Sequence, residues 1–195
     1  MTTVVVVRKD NLVVIAADSL STFGDTRMSA RDDACWNKIF ESHSTYFSIS
    51  GSAAHDLVLQ AALKRSKTLD FDSRPAIFES FRKLHPKLKE DFFLKPEEEE
   101  DDPYESSQIT ALIANRSGIY GVYSLREVYE YQRFWGIGSG RDYAIGAMQA
   151  VYDDPKLDAL AIAKIGVEAG CAFDVNSSLP MTHYAVPLGG KKDKE

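Results

Sequence analysis

Cysteine is scarce in this chain: Cys35 and Cys171 are the only two among 195 residues. Their spacing fits neither a disulfide framework, a thiolate metal site nor a redox pair, so two reduced, mostly buried thiols and a cytoplasmic setting are expected. Positive charge is in short supply as well. Lys and Arg total 23 against 29 Asp and Glu, giving a net charge of −6. No basic patch is available to track a phosphate backbone, which excludes nucleic acid as a partner. No apolar run approaches the ~20 residues that cross a bilayer, so no membrane association is expected. Val4–Val7 is too short for the core of a secretory signal. Internal repeats are absent. The glycines of Gly136-Ile137-Gly138-Ser139-Gly140 lack the Lys-Ser/Thr of a phosphate loop and depart from the dinucleotide fingerprint. No cofactor and no metal are predicted.

What the chain does have is 44% hydrophobic residues, enough for a sizeable core. Residues 3–8 and 12–17 are continuous valine-rich runs, which predicts strands buried on both faces, joined at Asp10-Asn11. A turn is expected at Gly24-Asp25, and residues 32–36 resist assignment. Residues 38–40 and 45–50 read as further strands. A helix over 52–67 is predicted with Leu57, Val58, Ala61 and Ala62 on its apolar face. A second starts near Ser73, carries Ile77, Phe78, Phe81, Leu84 and Leu88, and should be kinked or interrupted at Pro86. The carboxylates from Glu97 to Asp102 read as a solvated loop. A second hairpin over 108–124 follows, then strands at 128–131 and 134–137. Helices after Ser139 and Pro155 and a last strand at 181–186 complete the order. Strands, two helices, strands, two helices and a strand suggest an α+β fold of four layers, αββα. One domain over 1–188 and a polar tail over 189–195 are expected.

The chemistry centres on the start of the first strand. Thr2 has a small side chain, so the initiator Met1 should be trimmed, leaving a hydroxyl and a free α-amine on one residue. The hydroxyl can attack while the amine takes its proton. An α-amine titrates near pH ~8, close to working pH. Such a nucleophile needs a cation, a carboxylate to orient that cation, and amides for the oxyanion. Asp18 ends the second strand and so returns to the Thr2 end of the hairpin, although on spacing alone a strand-terminal turn-former or cap is the more ordinary reading. Lys38 opens an apolar strand, where a surface lysine is the ordinary reading. Gly51 ends a strand before a helix, and its amide could face a carbonyl, or the glycine could serve backbone conformation alone. Ser139 reads as a helix cap. Asp174 and Ser177 follow the last long helix, where such residues commonly make turns.

Thr2-Thr3, Ala17-Asp18-Ser19, Lys38-Ile39, Gly51-Ser52-Ala53-Ala54-His55-Asp56, Gly138-Ser139-Gly140 and Asp174 with Ser177 are each weak signals. In this order they are specific, and the chain resembles the proteasome β-subunit and HslV-like family over nearly its whole length. Within that family it looks like the bacterial proteasome homologues of β-proteobacterial type. The resemblance implies the αββα Ntn-hydrolase fold and a threonine endopeptidase working through an acyl-enzyme ester. It implies Thr2 as nucleophile, Asp18 and Lys38 as orienting carboxylate and cation, and Ser139, Asp174 and Ser177 around the amine. It further implies Gly51 as oxyanion donor and a medium-sized apolar pocket lined by Ser21, Ile49 and Ala53. Polypeptide substrates, self-association into stacked hexameric or heptameric rings, and an ATP-dependent unfoldase partner are implied in the same way.

Departures from the pattern are plain. The interval from Asp18 to Lys38 is about four residues longer, with Arg31 a second cation inside it. Ser178-Leu179-Pro180 stands where glycines are usual. Only Met1 precedes Thr2, as in HslV. Two other functions fit the same residues: a small-molecule Ntn amidohydrolase, and a non-catalytic ring-assembly subunit.

Overall fold

The two valine-rich runs form a hairpin of Thr3–Lys9 (β1) and Leu12–Ala17 (β2), in register from Val4↔Ala17 to Lys9↔Leu12. Asp10 turns the chain with a φ of 52°, a conformation that Asp tolerates better than most residues. The structure is a computed structural model that describes residues 2–95 and 102–189. After β2 come Ser21–Phe23 (β3), Thr26–Met28 (β4), Ile39–Ser42 (β5), Thr45–Ser50 (β6), Ala53–Lys64 (α1) and Arg74–Glu90 (α2). Then follow Thr110–Asn115 (β7), Gly118–Val122 (β8), Val128–Tyr131 (β9), Phe134–Gly138 (β10), Arg141–Val151 (α3), Ala159–Phe173 (α4) and Thr182–Pro187 (β11).

One sheet has the order β10-β1-β2-β11 and the other β5-β6-β7-β8-β9. Side chains alternate across a strand, and β1 uses both of its faces. Val4 and Val6 meet Leu112, Ala114 and Ile119 between the sheets. Val5 and Val7 meet Ala144, Met148, Ile162 and Val167 of α3 and α4. On the far side, Phe47, Ile113 and Tyr120 pack with Leu59, Phe81 and Leu84 of α1 and α2. The result is the expected α+β sandwich, αββα. Val4 to Val7 are all 0% exposed, and each such side chain stabilises the fold by ~1.5–3 kcal/mol. That double burial is why the run is continuous rather than alternating.

Several expectations need correction. The buried stripe of α1 is Leu59, Ala62 and Leu63, while Leu57 is 69% exposed. Three consecutive apolar residues, Leu57 to Leu59, leave the face open in sequence, and packing against Phe47 and Phe81 selects Leu59. Helix α2 runs through Pro86 to Glu90. Its buried residues Phe81, Leu84 and Leu88 straddle the proline and hold both halves to one sheet face. The N-cap of α3 is Gly140 rather than Ser139, with no side-chain capping bond. Cys35 is exposed, and both cysteines are free thiols. The turn expected at Gly24-Asp25 is the tip of a small β3–β4 hairpin over residues 21–28, whose two short strands the polar sequence did not announce. The acidic residues 97–101, Met1 and the tail from 190 onward lie outside the described residues. Among the described residues no helix is long and apolar enough to cross a membrane.

Candidate active site

Antiparallel pairing brings three strand ends to one place. Thr3 pairs with Gly138 at the end of β10, and Val4 pairs with Ala17 at the end of β2. Asp18 therefore lies beside Thr2 and Thr3, and Lys38 arrives from the loop that enters β5. The Asp18 carboxylate is 1% exposed as a residue and is fully engaged. Its Oδ1 accepts the Thr2 hydroxyl at 2.5 Å, the Thr3 N–H at 3.0 Å and Lys38 Nζ at 2.9 Å. Its Oδ2 accepts the N–H groups of Leu20 at 3.0 Å and Ser178 at 3.2 Å.

An ammonium has three donors and no acceptor. Lys38 spends them on Asp18 Oδ1, on Thr2 Oγ1 at 3.1 Å and on the Leu20 carbonyl at 2.6 Å. Since the carboxylate can only accept, the Thr2 hydroxyl donates a hydrogen bond to Asp18 Oδ1 and accepts one from Lys38. A positive charge thus sits on the oxygen that would bear negative charge after proton loss, which favours that loss. Between Asp18 and Lys38 the chain forms the β3–β4 hairpin and turns that Asp32 and Asp33 brace, on Ser29 and Cys35. Arg31, in the same loop, is exposed.

A second cluster flanks the first. Ser139 and Ser177 both donate to Asp174 Oδ2, at 2.6 and 2.7 Å. Asn176 bonds Oδ1 through its backbone and side chain, at 3.2 and 3.3 Å. Burial alone would raise the Asp174 carboxyl, but the hydrogen bonds from Ser139, Ser177 and Asn176 outweigh it and hold the group below its ordinary value. The cluster joins β1 where Ser177 Oγ meets Thr3 Oγ1 at 2.7 Å. The Ser178 segment is tied in as well: its carbonyl accepts the Ser19 N–H at 3.1 Å.

Gly51 closes β6 at the start of α1 with a φ of 132°, a backbone state that favours glycine. Of the residues expected to line a pocket, Ser21 lies on β3 and donates to Asp33 at 3.4 Å. Ile49 is 9% exposed and belongs to the core beneath α1 and α2. Ala53 is the exposed first residue of α1. A cleft of about 170 Å³ lies beside the cluster, between the β3–β4 hairpin and Val175-Asn176. A wider one of about 540 Å³, between α2 and β9, contains none of Thr2, Asp18 and Lys38. Size alone is a poor guide here: Thr2 is 4% exposed and lines neither cleft. Among the described residues no group of three or more His, Cys, Asp or Glu is placed to hold a metal ion.

Sequence reasoning missed Thr3, Leu20, Ser178 and Gly170 as members of the site. Backbone donors and acceptors such as Leu20 and Ser178 carry no side-chain signal. Gly170 did carry one: a glycine inside a helix is unfavourable and signals close approach by something else.

The αββα layering, with threonine, aspartate and lysine in mutual contact at the end of β1, defines a threonine peptidase of the Ntn-hydrolase type. No family model and no curated protein matches the chain. Solved structures do. The chain is similar to Thiobacillus denitrificans BPH, in complex with epoxomicin, with a TM-score of 0.89 and 39% identity over 96% of this chain and 100% of that one. A second structure of the same protein gives a TM-score of 0.89 and 39% identity over 96% and 98%. Eukaryotic HslV from Trypanosoma brucei shares the fold, with a TM-score of 0.72 and 19% identity over 95% and 99%. The chain belongs to the bacterial proteasome homologue (BPH) family, within the proteasome-like peptidases. It is a threonine protease of a proteasome-like complex.

Proposed function

We propose that Thr2, once Met1 is removed, is the nucleophile of this peptidase. The free α-amine takes the hydroxyl proton as Oγ1 bonds to the scissile carbonyl carbon. Lys38 stabilises the developing alkoxide, and Asp18 holds Lys38 in place. The tetrahedral oxyanion is met by the Gly51 N–H. Collapse expels the leaving amine with the proton from the α-ammonium and leaves an ester on Thr2. Water then attacks the ester as the α-amine takes its proton; the C–Oγ1 bond breaks, the α-ammonium returns that proton to Oγ1, and the acid product leaves with hydroxyl and amine restored. Ser139, Asp174 and Ser177 hold the amine and its water. The observation that carries this reading is the Lys38 ammonium, whose three donors are all committed, one of them to Thr2 Oγ1.

Ser21, Ile49 and Ala53 are the proposed lining of an apolar specificity pocket. Stacked rings of six or seven protomers, an ATP-driven unfoldase partner and a cytoplasmic site of action complete the proposal. They are supported by likeness to the proteasome-like family.

Intact-mass analysis with fluorogenic peptide assays tests the core of it. The purified protein should begin at Thr2. Thr2→Ala should lose at least about 10³-fold in kcat, the scale seen when a nucleophile is deleted. Lys38→Ala should do likewise with the oligomer intact. Epoxomicin, expected to bind by likeness to the Thiobacillus protein, should no longer do so in Thr2→Ala. Retention of Met1 on an active enzyme would overturn the mechanism.

A further inference from the structure

The hydroxyl chain around Asp174 reaches β1 at Thr3, next to Thr2. Ser139 and Ser177 both donate to Asp174 Oδ2. A hydroxyl carries one proton. Ser177 has committed its own to Asp174, so Thr3 must be the donor in the 2.7 Å contact between Thr3 Oγ1 and Ser177 Oγ. The direction is fixed, from Thr3 to Ser177 to Asp174, and in a buried relay each donation strengthens the next. Thr3 is 0% exposed and Ser177 2%.

Space around Thr3 is cleared for it. A Cβ on Gly140 would fall 2.0 Å from Thr3 Oγ1. A Cβ on Gly170 would fall 2.4 Å from Oγ1 and 2.5 Å from Cγ2. Gly140 has a φ of −88° and Gly170 lies within α4, so neither needs glycine for left-handed backbone. The need is for room. The Thr3 backbone is fixed too, with its N–H on Asp18 at 3.0 Å and its carbonyl accepting the Asp18 N–H at 3.1 Å.

We propose that Thr3 is a positioning residue for the peptidase. Seated in the slot left by Gly140 and Gly170, its hydroxyl ties the Ser177–Asp174 pair to the residue adjacent to Thr2. It thereby sets where the nucleophile stands relative to that carboxylate. The inference rests on Thr2 being the nucleophile. Displacements of about 1 Å in such a constellation cost on the order of 10²-fold in rate.

Thr3→Val keeps the shape and removes the hydroxyl; Thr3→Ser keeps the hydroxyl. Each variant is compared with wild type after intact mass has confirmed loss of Met1 and native mass spectrometry has confirmed the assembly. Thr3→Val should lower kcat about 10- to 100-fold with KM within about twofold, and Thr3→Ser should restore kcat to within about threefold. Gly170→Ala should lower kcat in the same way, because its methyl displaces Thr3. If Thr3→Val does not assemble, the Thr3→Ser and Thr3→Ala pair gives the same comparison. Turnover by Thr3→Val, or by Thr3→Ala in its place, within about twofold of wild type overturns the proposal. So does a kcat in Thr3→Ser as low as in the variant without a hydroxyl. Full activity in Thr2→Ala would sink the underlying reading instead, whatever Thr3 does.

Discussion

Lys38 has no donor left over, and this makes its replacement by another cation informative. Arginine keeps the charge, but its planar fork cannot match the three acceptors around one Nζ. Lys38→Arg should therefore lose at least about 10²-fold in kcat, a loss that steady-state peptidase assays would read directly. Asp174 offers a pH test. Its folded pKa is depressed, so it contributes stability that is present above the unfolded value of about 3.9 and lost as pH falls through the folded one. Asp174→Asn should lower Tm by a constant amount above about pH 5, and the gap to wild type should close as pH drops below about 4. Burial pushes the Cys171 thiol up to about 12, with the charge of Asp18 adding to the effect. Cys35 is exposed. Iodoacetamide near pH ~8 should alkylate Cys35 and spare Cys171, as peptide mass spectrometry would report. Asp18 was legible as a neighbour of Thr2 because the end of β2 returns to that end of the hairpin, whereas Lys38 alone read as a surface lysine and was singled out only through the family resemblance. Their partners Leu20 and Ser178 were not legible, since what they supply is backbone.

At the scale of elements, α2 sets local propensity against packing. Pro86 removes a backbone donor and crowds the preceding turn, a cost of ~3 kcal/mol in a helix interior. Burial of Ile77, Phe81, Leu84 and Leu88 offsets that cost, at ~1.5–3 kcal/mol for each fully buried side chain. Pro86→Ala should raise stability by roughly 1–3 kcal/mol, visible as a Tm higher by several degrees in calorimetry. The sequence shows the proline and the stripe but not which prevails, because the sheet that the stripe meets is assembled from distant strands. The apolar face of α1 was misread for a related reason: Leu57, Val58 and Leu59 satisfy more than one helical stripe. Strands β1 and β2 were read almost to the residue, since double burial leaves a continuous valine run. The β3–β4 hairpin was not, because its polar residues are mostly half-buried or exposed and carry no alternation.

For the whole molecule, the order of elements was enough to give the four layers, while the pairing of β1 with β10 was not encoded in any local pattern. Self-association is the corresponding prediction. Native mass spectrometry should find a complex many times the 21.7 kDa of one chain, with peptidase activity co-migrating. A monomer at micromolar concentration would contradict it. The β10-β1-β2-β11 order has one more consequence, and it concerns timing. Thr2 is synthesised long before residues 134–138, which flank β1 on one side. The hydroxyls and carboxylate that join it come later still, at Ser139, Asp174 and Ser177. At ~5–20 residues per second the threonine waits on the order of ten seconds for its neighbours. A nascent chain therefore carries the proposed nucleophile well before the residues that would complete its site, and that site can close only after Ser177 has been made.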